Sequence, residues 1–343
     1  MKIDHKLIPS YKCDIIVPIY NTSDELLTRC LSSIAMQVNL KDLHVIIVDD
    51  CSDKIDSSNI VNSFKNVMDI DYIKLEENVG AGKARNIGYE RGKNEYVLFC
   101  DSDDSYFSAF SIEKLLIPFK ENRDTLLTMC AFLEQLEGIN FKRHQYNLTW
   151  IFSKIYRRSF LDKWNIRFPE ARNNEDVAFN LLVWACINDI NKIKYCDDIV
   201  YMWHNNQESI TRSADGEYKK TGMVDFVKSY IWTIREKIKR NINDTDFSKQ
   251  QNMNCIMMLY WYYVMMSNTA DDSLMKKYNN MCYEFYCYII SNLTEFVNAD
   301  NFKQSYLQSI HKCGDIASHY VPLKSIYDWL FAFEQYRKNK ERR

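Results

Sequence analysis

Two short runs of β-branched apolar residues, separated by a segment with helical periodicity, constrain the fold more than any other feature of this sequence. The runs DIIVPIY (14–20) and HVIIVDD (44–50) end in polar residues and are typical of buried parallel strands. Between them, 23–37 repeats its apolar residues at helical spacing, and Ser23 stands where an N-cap is expected. Together the three segments predict a β-α-β unit.

The same alternation continues along the N-terminal two thirds of the chain. It favours an open α/β sheet with helices on both faces. After about Asp215 strand signals give way to helical ones, so we predict an α/β domain over 1–216 and an all-α domain over 217–343. The further predicted strands are 70–75, 95–100 and 125–133, and the further predicted helices are 82–92, 111–121, 222–239, 249–266, 273–291, 302–312 and 324–337.

The composition indicates where the protein resides and which partners it binds. A net charge of -2 over 343 residues weighs against DNA or RNA as a partner, although the basic end at 337–343 keeps that alternative open. The 11 cysteines form no C-x-x-C pair, which is typical of reduced, packed thiols. Residues 1–11 lack an apolar signal segment, and the apolar stretch 255–266 is too short to span a bilayer. We therefore expect a cytoplasmic protein.

Polar residues follow the first two predicted strands, where an open α/β sheet binds its ligands. After the first strand, the Tyr20 ring can lie against a flat base and Asn21 can turn the chain into the helix, and a plain strand-to-helix turn is the alternative. The carboxylates Asp49 and Asp50 follow the second strand. A ribose or a base N–H would give them the partners that buried charges need, and capping of the next helix is an equal alternative.

A glycine-containing segment and an acidic cluster follow the next two strands. Gly80 precedes a helix start, where backbone N–H groups suit phosphate, and Arg85 in the first turn can reach a diphosphate. The segment is neither a P-loop nor a dinucleotide-binding fingerprint. Asp101, Asp103 and Asp104 place three repelling carboxylates within four residues. A Mn²⁺ or Mg²⁺ ion would remove that conflict, and we favour this over a solvated acidic turn.

A second acidic pair, Glu175 and Asp176, opens an apolar helix. Capping and the helix dipole explain acidic residues in a first turn without any function. In the functional interpretation one carboxylate faces the cleft as a general base, and the same dipole keeps it ionised near pH 7.

In their order and spacing these segments resemble the family-two glycosyltransferases with the GT-A fold, over about residues 14–213. DIIVPIYN resembles the first strand, and VIIVDDCSD resembles the nucleotide-contacting turn, with Cys51 where Gly is usual. The stretch from ENVGAGKARN to FCDSDD resembles the one that ends in the metal-binding D-x-D, and WIFSKIYRRSFLDKWNIRFPEARNNEDVAF resembles the segment with the catalytic acidic pair. YMWHNNQESITRS resembles the closing strand and loop. The resemblance implies a Rossmann-like mixed sheet flanked by helices, followed by an all-α module.

The resemblance also implies residue roles. Asp176 would be the base, and Glu175 would position it or the acceptor. Asp103 would bind Mn²⁺ or Mg²⁺, and Asp101 would bind the metal or the ribose. His204, where many relatives carry Arg, would touch the metal or the diphosphate, or else would be a satisfied histidine at a strand end. The nucleotide-sugar-binding set would be Pro18, Tyr20, Asn21, Asp49, Asp50, Asn78, Gly80, Arg85, Asp101 and Ser102.

The implied reaction is an inverting transfer from a nucleoside-diphosphate sugar, with a UDP-sugar as first choice, to a hydroxyl of a glycan, lipid-linked or other acceptor. The implied setting is bacterial cell-surface polysaccharide synthesis. Glycosylation of a protein or of a modified phage DNA base stays open. A non-catalytic sugar-nucleotide-binding module is the alternative from another class, and the two intact acidic pairs argue against it. For the C-terminal module we expect acceptor binding, homo-oligomer formation or peripheral contact with the inner face of the cell membrane.

Overall fold

A computed structural model of the chain describes residues 11–147, 149–171, 173–206, 217–243 and 245. Contacts divide the chain into two units, Met1–Gln207 and Glu208–Arg343. The boundary that we placed between 216 and 217 stays a prediction. In the second unit a helix over Glu217–Lys239 confirms the predicted helix 222–239. The remaining predicted helices and the basic end at 337–343 lie outside the described residues.

In the first unit, strands and helices alternate in the predicted order. Ser23 caps the first helix, because its side chain accepts a hydrogen bond from the Leu26 backbone N–H. None of the described helices combines the length and the apolar character that crossing a bilayer requires. The strands are β1 (Cys13–Ile19), β2 (Leu43–Asp49), β3 (Asp69–Lys74), β4 (Tyr96–Phe99), β5 (Ser105–Tyr106), β6 (Leu127–Gln135), β7 (Phe141–His144), β8 (Lys154–Arg157) and β9 (Ile193–Trp203). The helices are α1 (Asp24–Ala35), α2 (Ser58–Phe64), α3 (Ala81–Arg91), α4 (Ser111–Glu121), α5 (Arg158–Lys163) and α6 (Glu175–Cys186), and the helix of the second unit is α7 (Glu217–Lys239).

The described strands form one mixed sheet in the order β3-β2-β1-β4-β8-β6-β9-β5, with β7 paired to β6. β1 runs parallel to β2 and β4, and β2 runs parallel to β3. β8 is antiparallel to both β4 and β6. This arrangement confirms the predicted mixed sheet flanked by helices. Because four neighbouring strands are parallel, the loops that follow them lie along one edge of the sheet.

The helix α3 packs unusually close to the sheet, which brings its first turn to that edge. A Cβ added at Gly88 would lie only 2.6 Å from Ile16 Cγ2 and 3.3 Å from Val48 Cγ2. The absence of a side chain at Gly88 therefore allows the helix backbone to rest directly on β1 and β2. Arg85 lies one turn earlier, and its side chain is buried at the end of the sheet.

A buried ion network lies at the start of β1, at the opposite end of this strand. Asp14 is 0% exposed and accepts hydrogen bonds from the Arg158 guanidinium at 2.7 Å and from the Asn94 backbone N–H at 2.8 Å. His44 Nδ1 lies 3.1 Å from Asp14 Oδ1. The hydrogen bond to Asp14 raises the pKa of His44, against the opposing effect of burial. This network holds β1, β2 and the β8–α5 junction together.

We expect His44→Gln to destabilise the protein at pH 5.5 and to change little at pH 8.5. The folded-state pKa of His44 is raised, so its stabilisation is fully present below the unfolded pKa of about 6.5 and is lost as the pH rises through the folded-state pKa. Loss of a charge-assisted hydrogen bond at this partly buried site predicts a cost of about 1 kcal/mol at pH 5.5. Urea unfolding followed by tryptophan fluorescence measures both values. An equal cost at the two pH values would contradict the prediction.

Candidate active site

The loops after β1 and β2 are locked together by Asn21. Its backbone has a φ of 50°, and its N–H donates to Ser52 Oγ at 2.9 Å. Its side chain donates to Asp53 Oδ1 at 2.9 Å and accepts from the Lys54 backbone N–H at 2.9 Å. Beside it the Tyr20 side chain is 52% exposed. Asn21 is therefore placed to shape the turn, and the Tyr20 ring is accessible to a planar ligand. Pro18 is the second-last residue of β1, and it pairs with Val48 of β2.

Asp49 does not have the surface that direct nucleotide contact requires. It is 0% exposed. One carboxylate oxygen accepts from the Ser52 backbone N–H at 2.8 Å, and the other accepts from the Tyr72 hydroxyl at 2.6 Å. These partners repay the cost of burying the charge. The predicted nucleotide contact of this side chain is therefore corrected to a role in shaping the loop after β2.

Asp50 and the glycine-containing segment hold each other in the same way. Asp50 Oδ1 accepts from the Val79 N–H at 2.7 Å, and Asp50 Oδ2 accepts from the Gly80 N–H at 2.8 Å. Asn78 Nδ2 donates to the Asp50 carbonyl at 3.2 Å. Gly80 has a φ of 86°, a conformation that favours glycine. In this arrangement the Gly80 amide binds a carboxylate of its own chain and is not free for a phosphate, contrary to our expectation.

Arg85 joins the two acidic clusters that the sequence suggested separately. Its Nη1 donates to Glu175 Oε1 at 2.7 Å, and its Nη2 donates to Asp101 Oδ1 at 2.7 Å. Burial alone would lower the pKa of Arg85, but the charges of Asp101 and Glu175 raise it further above its usual range. We expected this guanidinium near the diphosphate or the base. The structure commits it to a buried bridge between the loop after β4 and the start of α6.

The loop after β4 offers two carboxylates to a cation. Asp101 and Asp103 each use one oxygen, towards Arg85 and towards Asn206 Nδ2 at 2.8 Å respectively. The other oxygen of each has no hydrogen-bond partner among the described residues. Burial and the charge of Asp101 raise the pKa of Asp103, so the two carboxylates repel each other. Hard oxygen ligands with this repulsion fit Mg²⁺ or Mn²⁺.

The shape of this loop depends on side chains from neighbouring elements. The Arg29 guanidinium of α1 donates to the Asp103 carbonyl, and the Thr22 and Ser102 hydroxyls lie 2.8 Å apart. The Tyr201 hydroxyl accepts from the Asp101 N–H at 3.1 Å. Sequence reasoning missed Arg29 and Tyr201. Neither stands in a pattern that predicts such a contact, because both lie far along the chain from the loop that they hold.

One further prediction about this loop needs correction. The His204 ring bonds to Ser105 Oγ through Nε2 at 2.9 Å and to Gln135 Oε1 through Nδ1 at 3.2 Å, so neither nitrogen is free for a metal. Burial lowers the pKa of His204 to about 4, which keeps the ring neutral. Asp104, the third carboxylate of this loop, is buried and accepts from the Tyr201 hydroxyl at 3.0 Å and from the His204 backbone N–H at 2.9 Å. Across the described part of the chain, no group of three or more His, Cys, Asp or Glu side chains is placed to hold a metal. His204 is thus the satisfied histidine at a strand end.

The acidic pair opens α6 after Asn174, whose φ is 58°. Glu175 turns inward to Arg85. Asp176 is half-buried, and one of its oxygens accepts a hydrogen bond from the Val177 backbone N–H at 2.8 Å. Burial, reinforced by the charge of Glu175, raises the pKa of Asp176 to about 7. The helix dipole was expected to keep this carboxyl ionised at neutral pH. Desolvation outweighs the dipole, and Asp176 titrates in the neutral range, where a general base is most effective.

This combination of a mixed sheet, an acidic loop at the ends of parallel strands and an acidic pair at a helix start defines the class of GT-A glycosyltransferases. The model of the family described as "Glycosyl transferase family 2" matches residues 14–173. The poly(ribitol-phosphate) beta-N-acetylglucosaminyltransferase TarP of Staphylococcus aureus is 34% identical over 258 residues, which cover 70% of this chain and 75% of TarP. The chain therefore belongs to glycosyl transferase family 2.

The related enzyme TarS of Staphylococcus aureus is 29% identical over 211 residues, covering 57% of this chain and 36% of TarS. The matched region is thus about a third of TarS. The crystal structure of TarS 1–349 in complex with UDP-GlcNAc superposes with a TM-score of 0.64 at 20% identity, covering 87% of this chain and 92% of that chain. GalNAc-T7 with UDP, GalNAc and Mn²⁺ superposes with a TM-score of 0.52 at 12% identity, covering 72% and 57%. These superpositions confirm the GT-A fold.

We expect Arg85→Gln to lower the free energy of unfolding by about 3 kcal/mol, because it leaves two carboxylates of a buried site without their cation. Arg91→Gln on the same helix is the matched control. Its side chain is 59% exposed and pairs with Asp71 at the surface, so we expect almost no change. Urea unfolding of both variants measures the difference. If both variants lose the same free energy of unfolding, the buried bridge contributes no more to stability than the surface ion pair.

Proposed function

We propose that this protein is an inverting glycosyltransferase that moves a sugar from a nucleoside-diphosphate sugar, in the first place a UDP-sugar, to an acceptor hydroxyl. Family membership supports the reaction class, and the names of TarP and TarS support bacterial cell-surface polymers as the setting. The single observation that carries the proposal is the Arg85 bridge. Arg85 bonds on one side to the Asp101 loop, which we propose for the donor diphosphate, and on the other to the acidic pair, which we propose for the acceptor.

The chemistry assigned to Asp176 is general-base catalysis. As an acceptor hydroxyl attacks the anomeric carbon, its proton passes to the Asp176 carboxylate. The bond from that carbon to the diphosphate breaks at the same time, and the nucleoside diphosphate leaves with the electron pair. One displacement without a covalent intermediate inverts the configuration. Glu175 is held by Arg85, so its proposed role is to position the helix start and the acceptor.

Asp103 and Asp101 are the residues that would hold Mn²⁺ or Mg²⁺. When bound, such an ion supplies positive charge to the departing diphosphate. The chain itself contributes a fixed loop, because Arg29 and Tyr201 hold its backbone. On the nucleotide side we propose the exposed Tyr20 ring as a platform for the base. Contacts from Asn78 and Ser102 stay predictions, whereas the Gly80 amide is already bound to Asp50.

The acceptor is proposed by chemical class. TarP and TarS are named for poly(ribitol-phosphate), so a polyol-phosphate or glycan hydroxyl is the first acceptor to test. A cytoplasmic location, peripheral membrane contact and homo-oligomer formation stay proposals. A panel of nucleoside-diphosphate sugars assayed for Mn²⁺-dependent hydrolysis would identify the donor. Absence of hydrolysis and transfer with every donor would contradict the proposal and favour a non-catalytic binding module.

We expect Asp176→Asn to reduce turnover by about two to four orders of magnitude while donor binding persists, because the amide cannot accept the acceptor proton. Asp24→Asn, which alters an exposed aspartate in the first turn of α1, is the matched control and should keep full turnover. Initial rates and donor titration calorimetry separate the two effects. Turnover of Asp176→Asn within threefold of the wild type would show that another group is the base.

We expect Asp103→Ala to weaken UDP binding in the presence of Mn²⁺ by about tenfold or more and to leave metal-free binding nearly unchanged, because the carboxylate acts through the cation. Isothermal titration with UDP, with Mn²⁺ and with EDTA, measures both affinities. Asp124→Ala at an exposed loop serves as the control. If Asp103→Ala has the same affinity as the wild type under both conditions, Asp103 is not a metal ligand.

A further inference from the structure

Lys154 is a buried cation that the proposed reaction does not use. Its side chain is 1% exposed, and its ammonium donates a hydrogen bond to the Trp150 carbonyl. It has no contact ion pair among the described residues. A lysine this deeply buried is costly unless nearby charge compensates it. The groups around Lys154 therefore indicate which negative charge its ammonium stabilises.

The strand register places Lys154 at the active-site end of the sheet. β8 is antiparallel to β4, and Tyr156 lies opposite Val97. Lys154, two residues earlier on β8, therefore lies nearer the carboxyl end of β4, where the Asp101 loop begins. Side chains two residues apart on a strand point to the same face. Lys154 and Tyr156 thus share one face of the sheet.

The helix α6 covers that face in a matching register. The Tyr156 hydroxyl donates to Asn180 Oδ1 at 2.7 Å, and Asn180 Nδ2 donates to the Trp150 carbonyl at 3.2 Å, the same carbonyl that binds Lys154. Asp176 lies four residues before Asn180 on the same helix face, about 6 Å along the axis. Two residues of β8 span about 6.6 Å. Glu175 at the start of α6 is joined to the Asp101 loop through Arg85, so α6 and β8 both run away from that loop. Because Tyr156 bonds to Asn180, we infer that Lys154 lies near Asp176, one step closer to the loop.

Arg85 and Lys154 are both cations near Asp176. The charge of Arg85 lowers the pKa of Asp176, but the two hydrogen bonds of Arg85 go to Glu175 and Asp101, whose negative charges raise that pKa. Tyr156 is neutral and bonded to Asn180. Burial lowers the pKa of Lys154 to about 7, and the charge of Asp176 opposes that shift. Attraction between buried charges acts over several ångströms without contact.

We propose that Lys154 is a positioning residue of the transfer site, whose buried ammonium beneath the first turn of α6 keeps the Asp176 carboxyl ionised and ready to accept a proton. This inference rests on the proposed function of Asp176. It assigns no contact of Lys154 with either substrate. Its charge acts through Asp176, and Trp150 and Asn180 hold the two elements in register.

The first test is the pH profile of kcat/KM for Lys154→Met. Without the buried cation, Asp176 ionises at higher pH, and the half-maximal pH moves up by about one unit or more. Lys154→Arg keeps the charge and should remain close to the wild type. Tyr156→Phe is the structural control, because it breaks the bond to Asn180 without a change of charge, and its profile should not move even if its stability falls. A Lys154→Met profile that overlays the wild type overturns the proposal.

The second test does not require activity. Urea unfolding midpoints of Lys154→Met, Asp176→Asn and the double variant form a cycle. If the two groups are coupled, the double variant is less destabilised than the sum of the single changes. If Lys154→Met fails to fold, recovery of folding in the double variant supports the proposal. Additive losses, or no recovery, overturn it. A wild-type protein without transferase activity would remove the proposed function but leave this cycle interpretable.

Discussion

The bridge that Arg85 makes between Asp101 and Glu175 is the interaction on which the rest of the site depends. These two carboxylates come from separate parts of the chain, and together with Asp103 and Asp176 they bring four acidic side chains to one corner of the sheet. Without a buried cation, their mutual repulsion and desolvation would oppose the folded state. The guanidinium offsets both costs, and its fork geometry also orients the loop after β4 relative to α6. The close packing of α3 at Gly88 is what brings it there.

Much of the fold could be predicted from the sequence because its signals are local. The β-branched runs that became β1 and β2 are buried on both faces, and the Ser23 cap is a contact between near neighbours in the chain. The short strands β5, β7 and β8 were not predicted. Two to four residues carry too little periodicity to be recognised, and their pairing depends on distant partners, as in the match of Ser105 with Met202. The loop-forming residues could therefore be placed, but not these three short strands.

The same distinction between local signals and contacts with distant residues applies to the candidate site. From the sequence, Asp101, Asp103, Glu175 and Asp176 could be assigned to positions after a strand or at the start of a helix, and the structure has them there. It could not reveal which partner each side chain binds. Asp49 and His204 were predicted as ligand-binding residues, yet their polar atoms are satisfied by residues such as Tyr72 and Gln135. Residue type and spacing describe what a side chain can bind, whereas the fold decides whether the chain itself has already bound it.

The acidic pair shows why this distinction matters for chemistry. Glu175 and Asp176 are adjacent and share one helix dipole, so the dipole cannot separate their roles. Their environments do: Glu175 is tied to the Arg85 cation, whereas Asp176 is desolvated beside a like charge, which raises its pKa to about 7. A carboxyl held strongly by a cation is a poor base, while one that titrates near neutrality can accept a proton and release it again. The hydrogen bond of Arg85 to Glu175 therefore favours Asp176 as the proposed base. The buried Lys154, whose pKa responds to the charge of Asp176, is the kind of group that can adjust the pH at which Asp176 accepts a proton.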